Sequence, residues 1–418
     1  MKARRYLYAA AILIAVAVAA GIWSPFPNVA KADRPHAARF AVDPFYPKPL
    51  PDNWVTGEVA GTCLDSRDHL FIVTRGFQTG GLVSPEGVGG RPTPSKASPP
   101  VIEFDRDGKV VNFWGDPSLV PAGQPNAGQN AVLPNGIHGC FVDYQDNVWI
   151  GGNGDGVVQK YSHDGKTLLL QIGTKFMCDN PPDNTTCGNS GSNPLANMSK
   201  TLLNEPADIA VDPDPDPVTH ERGSVYIADG YGNHRIVVFD SRGNWLRQWG
   251  SSGTGDGQFQ PGDGGHPHCV VLGNDGLVYT CDRGSDRIQV FDKLGNLKRI
   301  IPVVPCTGAS GTAVCPGTGL GTAGSAWDVD FSPEGQQTFM YDADGGNEVV
   351  WTFNRSLGKI LSGFGRPGHM AGDFTFLHTL AVDSKGNLYT GETINGRRVQ
   401  KFSTLDDNGY DDHGRFRD

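Results

Sequence analysis

Three of the chain's 11 histidines, His138, His268 and His378, stand at the mouths of short apolar runs, "IHGCFVD", "PHCVVL" and "LHTLAVD", where a buried strand needs no imidazole. Two arginines, Arg75 in "VTRG" and Arg283 in "CDRG", each lie fifteen residues beyond the corresponding position of their own run. One histidine in such a place is ordinarily structural. Three that share one position match a catalytic zinc ion, in which neutral imidazoles fill three tetrahedral positions and leave the fourth for water or substrate. Two guanidiniums facing such an ion select an anionic substrate, most simply a carboxylate gripped bidentately. The alternative is that each arginine only pairs with a neighbouring acid such as Asp282.

What could bring residues so far apart to one point is a repeat. An apolar strand, an Asp/Gly turn, a second strand, a third strand, a "DxxGK"-like turn and a fourth strand recur six times, at spacings of about 45 to 75 residues. The copies begin at "VAGTCLDSRDHLFIVTRG", "IHGCFVDYQDNVWIGG", "PADIAVDPDPDPVTHERGSVYIADG", "PHCVVLGNDGLVYTCDRG", "AWDVDFSPEGQQTFMYDADG" and "LHTLAVDSKGNLYTGET". The pattern predicts an all-β fold, a six-bladed β-propeller with four-stranded antiparallel blades. The last copy lacks a fourth strand, and "AARFAVD" at 37–43 is the extended segment available to close the ring and cover its open edge. Across the copies the key position reads Ala60, His138, Ala207, His268, Trp327 and His378. Histidine on every second blade of six predicts three imidazoles converging on the axis at one rim. The end of each second strand returns to that rim, which brings Arg75 and Arg283 there too. The long connections 77–100, 116–132, 174–202, 251–265 and 303–322 lie on the same side, as loops that build a pocket on a rigid scaffold do. The exception is "DPDPDPVTHERG", on the opposite side, to which no function attaches.

The composition agrees. With 57 glycines and 30 prolines among 418 residues and little helical periodicity, the chain reads as turn-rich β-structure. Lys2, Arg4 and Arg5 precede a long apolar run that ends near Ala30-Lys31-Ala32, the order of a secretory signal. The run is also almost long enough for a membrane anchor. Cleavage near Ala32 removes four cations and no acid, which moves the formal charge from −10 to −14. So acidic a chain is not a nucleic-acid binder. The expected organisation is residues 1–32 as signal or anchor, 33–54 with the closing strand, 55–403 as the propeller and 404–418 as a polar tail. The product is a secreted or periplasmic monomer with no membrane contact beyond such an anchor. Eight cysteines suit an oxidising compartment. Cys178–Cys187 and Cys306–Cys315 each bracket a short polar loop and are expected as disulfides, whereas Cys63, Cys140, Cys269 and Cys281 read as small buried hydrophobes. The sequons at Asn184 and Asn197 are read as accidental if the source is bacterial.

The blades, "GSVYIADGYGNHRIVVFDSRGNWLRQWG" above all, resemble NHL-repeat propellers, and within these the chain looks like the peptidyl-α-hydroxyglycine α-amidating lyases. The resemblance covers about 55–403 and is sharpest at "EPADIAVD", "ADGYGNHRIVVF", "GQFQPGDGGHPHCVVL" and "FLHTLAVDSKGNLYTGE". It implies that His138, His268 and His378 hold zinc, that Tyr231 is the base, and that Arg75 and Arg283 fall on the active-site arginines. The reaction it implies is cleavage of the C–N bond of a carbinolamide, which releases glyoxylate from a glycine-derived substrate. The chain departs from the family's Met-Pro-His-Asp run, which is Phe376-Leu377-His378-Thr379 here. The missing aspartate helps to hold the family's structural calcium, with carbonyls matching Val59 and Cys140, and Thr379 cannot supply its charge. Gly232 replaces a family cysteine, and no monooxygenase domain or copper-ligand framework precedes the propeller. Two other functions fit the residues: a metal-dependent propeller hydrolase or lyase acting on another small anionic substrate, and a non-catalytic NHL propeller that binds a protein partner. A quinone-dependent dehydrogenase ranks last, because it calls for calcium and a general-base histidine rather than a threefold ring.

Overall fold

The six repeats become six four-stranded antiparallel sheets, each running from an inner first strand to an outer fourth. The first strands are Val59–Leu64, Ile137–Val142, Pro206–Val211, Val270–Leu272, Asp328–Phe331 and Leu377–Val382. This computed structural model describes residues 37–75, 96–115, 133–188, 193, 195–261, 266–304, 324–406 and 411. Residues 38–418 contain the propeller; the separate unit of residues 1–37, where a signal or anchor is expected, lies outside the described residues apart from Ala37. Among the described residues no helix is long and apolar enough to cross a membrane.

Burial follows position in the blade. The second strand of blade 3, Val225–Asp229, is buried throughout, whereas the fourth strand of blade 2, Leu168–Ile172, is mostly exposed. Apolar side chains pack between blades rather than within them: Phe71, Val73 and Trp114 of blade 1 share one cluster with Ile137, Ile150 and Tyr161 of blade 2. Each blade therefore buries its faces only when both neighbours are present, and the ring has to close. Arg39–Asp43 closes it by pairing antiparallel with Val399–Leu405, Arg39 opposite Leu405 and Asp43 opposite Lys401. Phe40 of this strand packs edge-on against Tyr341 at 5.5 Å, which ties the closure to blade 5.

Three disulfides are present among the described residues, and they point to an oxidising, extracytoplasmic environment. Cys178–Cys187 is the expected staple. Cys306–Cys315 lies outside the described residues. The reading of the other four cysteines as free buried residues is corrected. Cys63 and Cys140 are joined across blades 1 and 2, and Cys269 and Cys281 within blade 4. Neighbouring first strands converge at the axis and bring Cα63 and Cα140 within 5.5 Å, although 77 residues separate them along the chain.

Candidate metal centre and active site

At the rim the first strands do not run straight. The pairing of first and second strands shifts register at Ala60, at Gly139 beside His138, at Ala207 and at His378. A bulge of this kind turns one side chain out of the pleat, here toward the axis. Gly139 has φ +61°, and a Cβ on it would lie 2.6 Å from the Ala207 carbonyl oxygen. That close approach is what lets His138 reach the same carbonyl.

The three imidazoles meet. One nitrogen from each of His138, His268 and His378 lies within 4.8 Å of the other two, and all three side chains are buried. Their ring centroids stand 4.7, 4.9 and 5.2 Å apart. The intervening blades hold them in place. Nδ1 of His138 donates to the Ala207 carbonyl at 2.6 Å and Nδ1 of His268 to the Trp327 carbonyl at 2.6 Å. Nδ1 of His378 is directed at the Ala60 carbonyl but falls short of hydrogen-bond geometry. The residues between the histidines in the repeat are thus their supports. A proton fixed on Nδ1 leaves the Nε2 lone pair of a neutral imidazole free for an ion. Burial, and after it the charges of Arg75 and Arg283, hold the pKa of His138 well below its usual value; burial and then Arg283 do the same for His268. For His378 the cause is burial, followed by His138 and the two arginines. The donor set is therefore neutral at physiological pH and fits a divalent transition metal.

The Tyr231 hydroxyl lies 3.0 Å from His138 Nε2 and 3.1 Å from His268 Nε2. Its chain bends inward because Gly230 lies against Pro267, where a Cβ would fall 1.8 Å from the Pro267 carbonyl oxygen. Arg283 is buried with its guanidinium 4.3 Å from the Trp327 ring and 5.7 Å from the Tyr231 ring. Arg75 donates to the Ile137 carbonyl at 2.8 Å and to Glu58 at 3.1 Å. Asp282 does not take Arg283; its ion pair is with Arg287, at 2.7 Å. Two residues to which the sequence assigned no role emerge here: Glu58, which steadies Arg75, and Trp327, which supports both Arg283 and His268. Trp327 had a visible sign, as the only aromatic at the key repeat position; Glu58 had none.

Below the tripod a cavity of about 200 Å³ follows the axis, lined by the first strands. Half-buried acids line it. Asp208 and Asp328 both have raised pKa values, first through burial and, for Asp328, then through the charge of Asp208. Thr379 donates to Asp328 at 2.9 Å and meets the Thr62 hydroxyl at 3.0 Å. This threonine pairing does not reproduce the donor set of the family's calcium, so no role is assigned to that ion. Of the rim loops, 76–95, 116–132, 189–192, 194, 262–265 and 305–323 lie outside the described residues.

Comparison with known proteins agrees with this architecture. The NHL repeat model matches residues 265–291. The chain is 27% identical over 323 residues to human NHL repeat-containing protein 3, covering 73% of each. It is 27% identical over 363 residues to peptidyl-glycine alpha-amidating monooxygenase B of Xenopus laevis, covering 84% of this chain and 34% of that longer protein. It is 27% identical over 176 residues to the Caenorhabditis elegans protein named "Probable peptidyl-alpha-hydroxyglycine alpha-amidating lyase pgal-1", covering 41% and 42%. The chain is a six-bladed propeller with an NHL repeat match at residues 265–291, and it resembles the amidating lyases.

Proposed function

We propose that the protein is a secreted or periplasmic zinc-dependent lyase that cleaves the C–N bond of a carbinolamide, Cα(OH)–NH–C(=O), bearing a carboxylate. The observation that carries this reading is the meeting at one rim of three buried imidazoles, a phenol within hydrogen-bond distance of two of them, and two guanidiniums. His138, His268 and His378 would hold the metal, which when bound supplies Lewis acidity toward the substrate hydroxyl. Arg75 and Arg283 bind the carboxylate; each is already held by its own neighbours, so little order is lost when the substrate docks. Tyr231, acting as the tyrosinate after its own phenolic proton has passed to solvent, then stands within reach of a hydroxyl seated at the tripod and takes its proton as general base. As that O–H bond breaks, the Cα–O bond becomes a carbonyl and the Cα–N electron pair leaves with the nitrogen. Tyr231 returns the proton there, and the products are a primary amide and an aldehyde acid, glyoxylate in the simplest case.

A second reading, a propeller hydrolase or lyase for another small anion, is favoured by Thr379, whose bond to Asp328 gives the tunnel a different lining from the family's. Metal analysis and glyoxylate release from α-hydroxyhippurate separate the two. We expect about one zinc per chain, loss of that zinc in His138→Ala and His268→Ala, and glyoxylate from the unsubstituted protein. Zinc without glyoxylate selects the second reading, and a chain whose metal content ignores both substitutions removes both.

A further inference from the structure

The turn between first and second strands is built alike in several blades, and blade 1 breaks the rule at two positions. In blade 2, Asp143 accepts the backbone N–H groups of Gln145 and Asn147, and its carboxylate is completed by the Asn147 amide, the Trp149 indole and the Lys160 ammonium at 3.0 Å. In blade 6, Asp383 takes the backbone of Asn387 and its side-chain amide in the same way, and Lys401 occupies the place of Lys160. Blade 1 keeps the aspartate: Asp65 accepts from the backbone of Arg67 and His69 at 2.9 and 2.8 Å. The asparagine, however, has become His69 and the lysine Glu103. Exchanging lysine for glutamate sets two buried carboxylates side by side, with side chains 0% and 4% exposed, where blades 2 and 6 set an acid beside a base. Such a pair requires a cation between them.

Nitrogen ligands converge on the same gap. His69 Nδ1 lies 2.7 Å from Glu103 Oε1 and 3.9 Å from Asp65 Oδ2. One ligand atom from each of Asp65, His69 and Glu103 falls within 4.8 Å of the others. From blade 2, His163 Nε2 approaches Asp65 Oδ2 to 3.5 Å and Glu103 Oε1 to 3.6 Å. Its Nδ1 donates to the Asp146 carbonyl at 3.0 Å, which leaves Nε2 facing the acids. Around an ion with bonds near 2.0–2.2 Å, neighbouring ligand atoms stand about 3.3 Å apart, close to these separations. The position between them is taken by Arg67 Nη2, 2.8 Å from Asp65, 3.2 Å from Glu103 and 2.5 Å from His163. That side chain is 54% exposed and can swing into solvent.

We propose that Asp65, His69, Glu103 and His163 form a second divalent transition-metal site, on the face opposite the histidine tripod, with the Arg67 guanidinium as a displaceable stand-in for the ion. Two nitrogens and two carboxylates suit Zn²⁺, Co²⁺ or Mn²⁺. An arginine that occupies the site lowers the apparent affinity by the fraction of time it is there, so its removal tightens binding.

The test uses the full chain carrying His138→Ala and His268→Ala, which disables the tripod, titrated with Co²⁺ and followed by visible absorption and equilibrium dialysis. The expected result is one Co²⁺ per chain, bound about tenfold tighter or better with Arg67→Ala, and lost with Glu103→Gln. The proposal is overturned if the Arg67→Ala chain, folded by circular dichroism, binds no Co²⁺ at millimolar concentration, or if binding survives Glu103→Gln unchanged. Should the tripod variant not fold, the unsubstituted protein gives the same answer through a second metal equivalent that Glu103→Gln abolishes or spares. None of these outcomes depends on the lyase reading.

Discussion

At the level of single residues, the arrangement around Tyr231 makes a sharp demand. Its one phenolic proton faces two imidazole nitrogens, His138 Nε2 and His268 Nε2, and can serve only one at a time. Were His138 and His268 to hold a metal through those nitrogens, the phenol would give up both contacts and be free to meet a substrate hydroxyl. Tyr231→Phe keeps the ring beneath Arg283 and removes only the hydroxyl, so under the proposed lyase reaction zinc content should stay the same while kcat falls by about 10² to 10⁴. A variant that loses metal in parallel with activity would make the tyrosine a support of the tripod instead. The histidines were legible because a position shared by alternate blades is visible in the repeats. Tyr231 was not, since it lies one place beyond the blade pattern, and only the family resemblance singled it out. Glu58 escaped both, because an acid that steadies an arginine seventeen residues away leaves no mark in spacing.

Among the elements, the bulged first strands aim the site, and regular alternation in the sequence hides them, since a bulge is one extra residue in a run that still reads as a strand. The segment "DPDPDPVTHERG", to which the sequence attached no function, becomes a tied turn. Asp216 accepts the backbone of Val218 and Thr219, the Ser224 hydroxyl and Arg247 at 2.6 Å. Burial alone would raise its pKa, but Arg247 and the two backbone donors outweigh burial and bring it down to about 2. A folded pKa depressed from an unfolded value near 3.9 contributes stability that is complete above that value and is lost as pH falls toward 2. Asp216→Asn should therefore cost about 2 kcal/mol at pH 7 and almost nothing near pH 2. Urea unfolding at several pH values measures this, and a penalty independent of pH would show that the turn is held by shape rather than charge.

For the whole molecule, closure is the governing constraint. Blades bury their faces against one another, so a bond between neighbouring first strands should matter more than one inside a loop. Cys63–Cys140 encloses 77 residues and Cys178–Cys187 only 9. Loop-closure entropy gives roughly 4 kcal/mol for the first and roughly 2 to 3 for the second. Calorimetry of Cys63→Ser/Cys140→Ser beside Cys178→Ser/Cys187→Ser should show the larger fall in melting temperature for the first pair, and the reverse order would refute the ranking. The closing strand Arg39–Asp43 belongs to the same logic and was readable, because the sixth repeat ends one strand short.

Repetition is what one-dimensional information carries well: six copies, alternate histidines, paired arginines and a missing last strand follow from counting along the chain, because each blade uses the same local pattern of strand and turn. Contacts between blades are set by distances through space. The link from Cys63 to Cys140, the carbonyls of Ala207 and Trp327 that orient the imidazoles, and the meeting of His163 with Asp65 all join residues of different blades. Only the closed ring, whose curvature brings inner strands together and holds outer turns at a fixed offset, decided which of them touch.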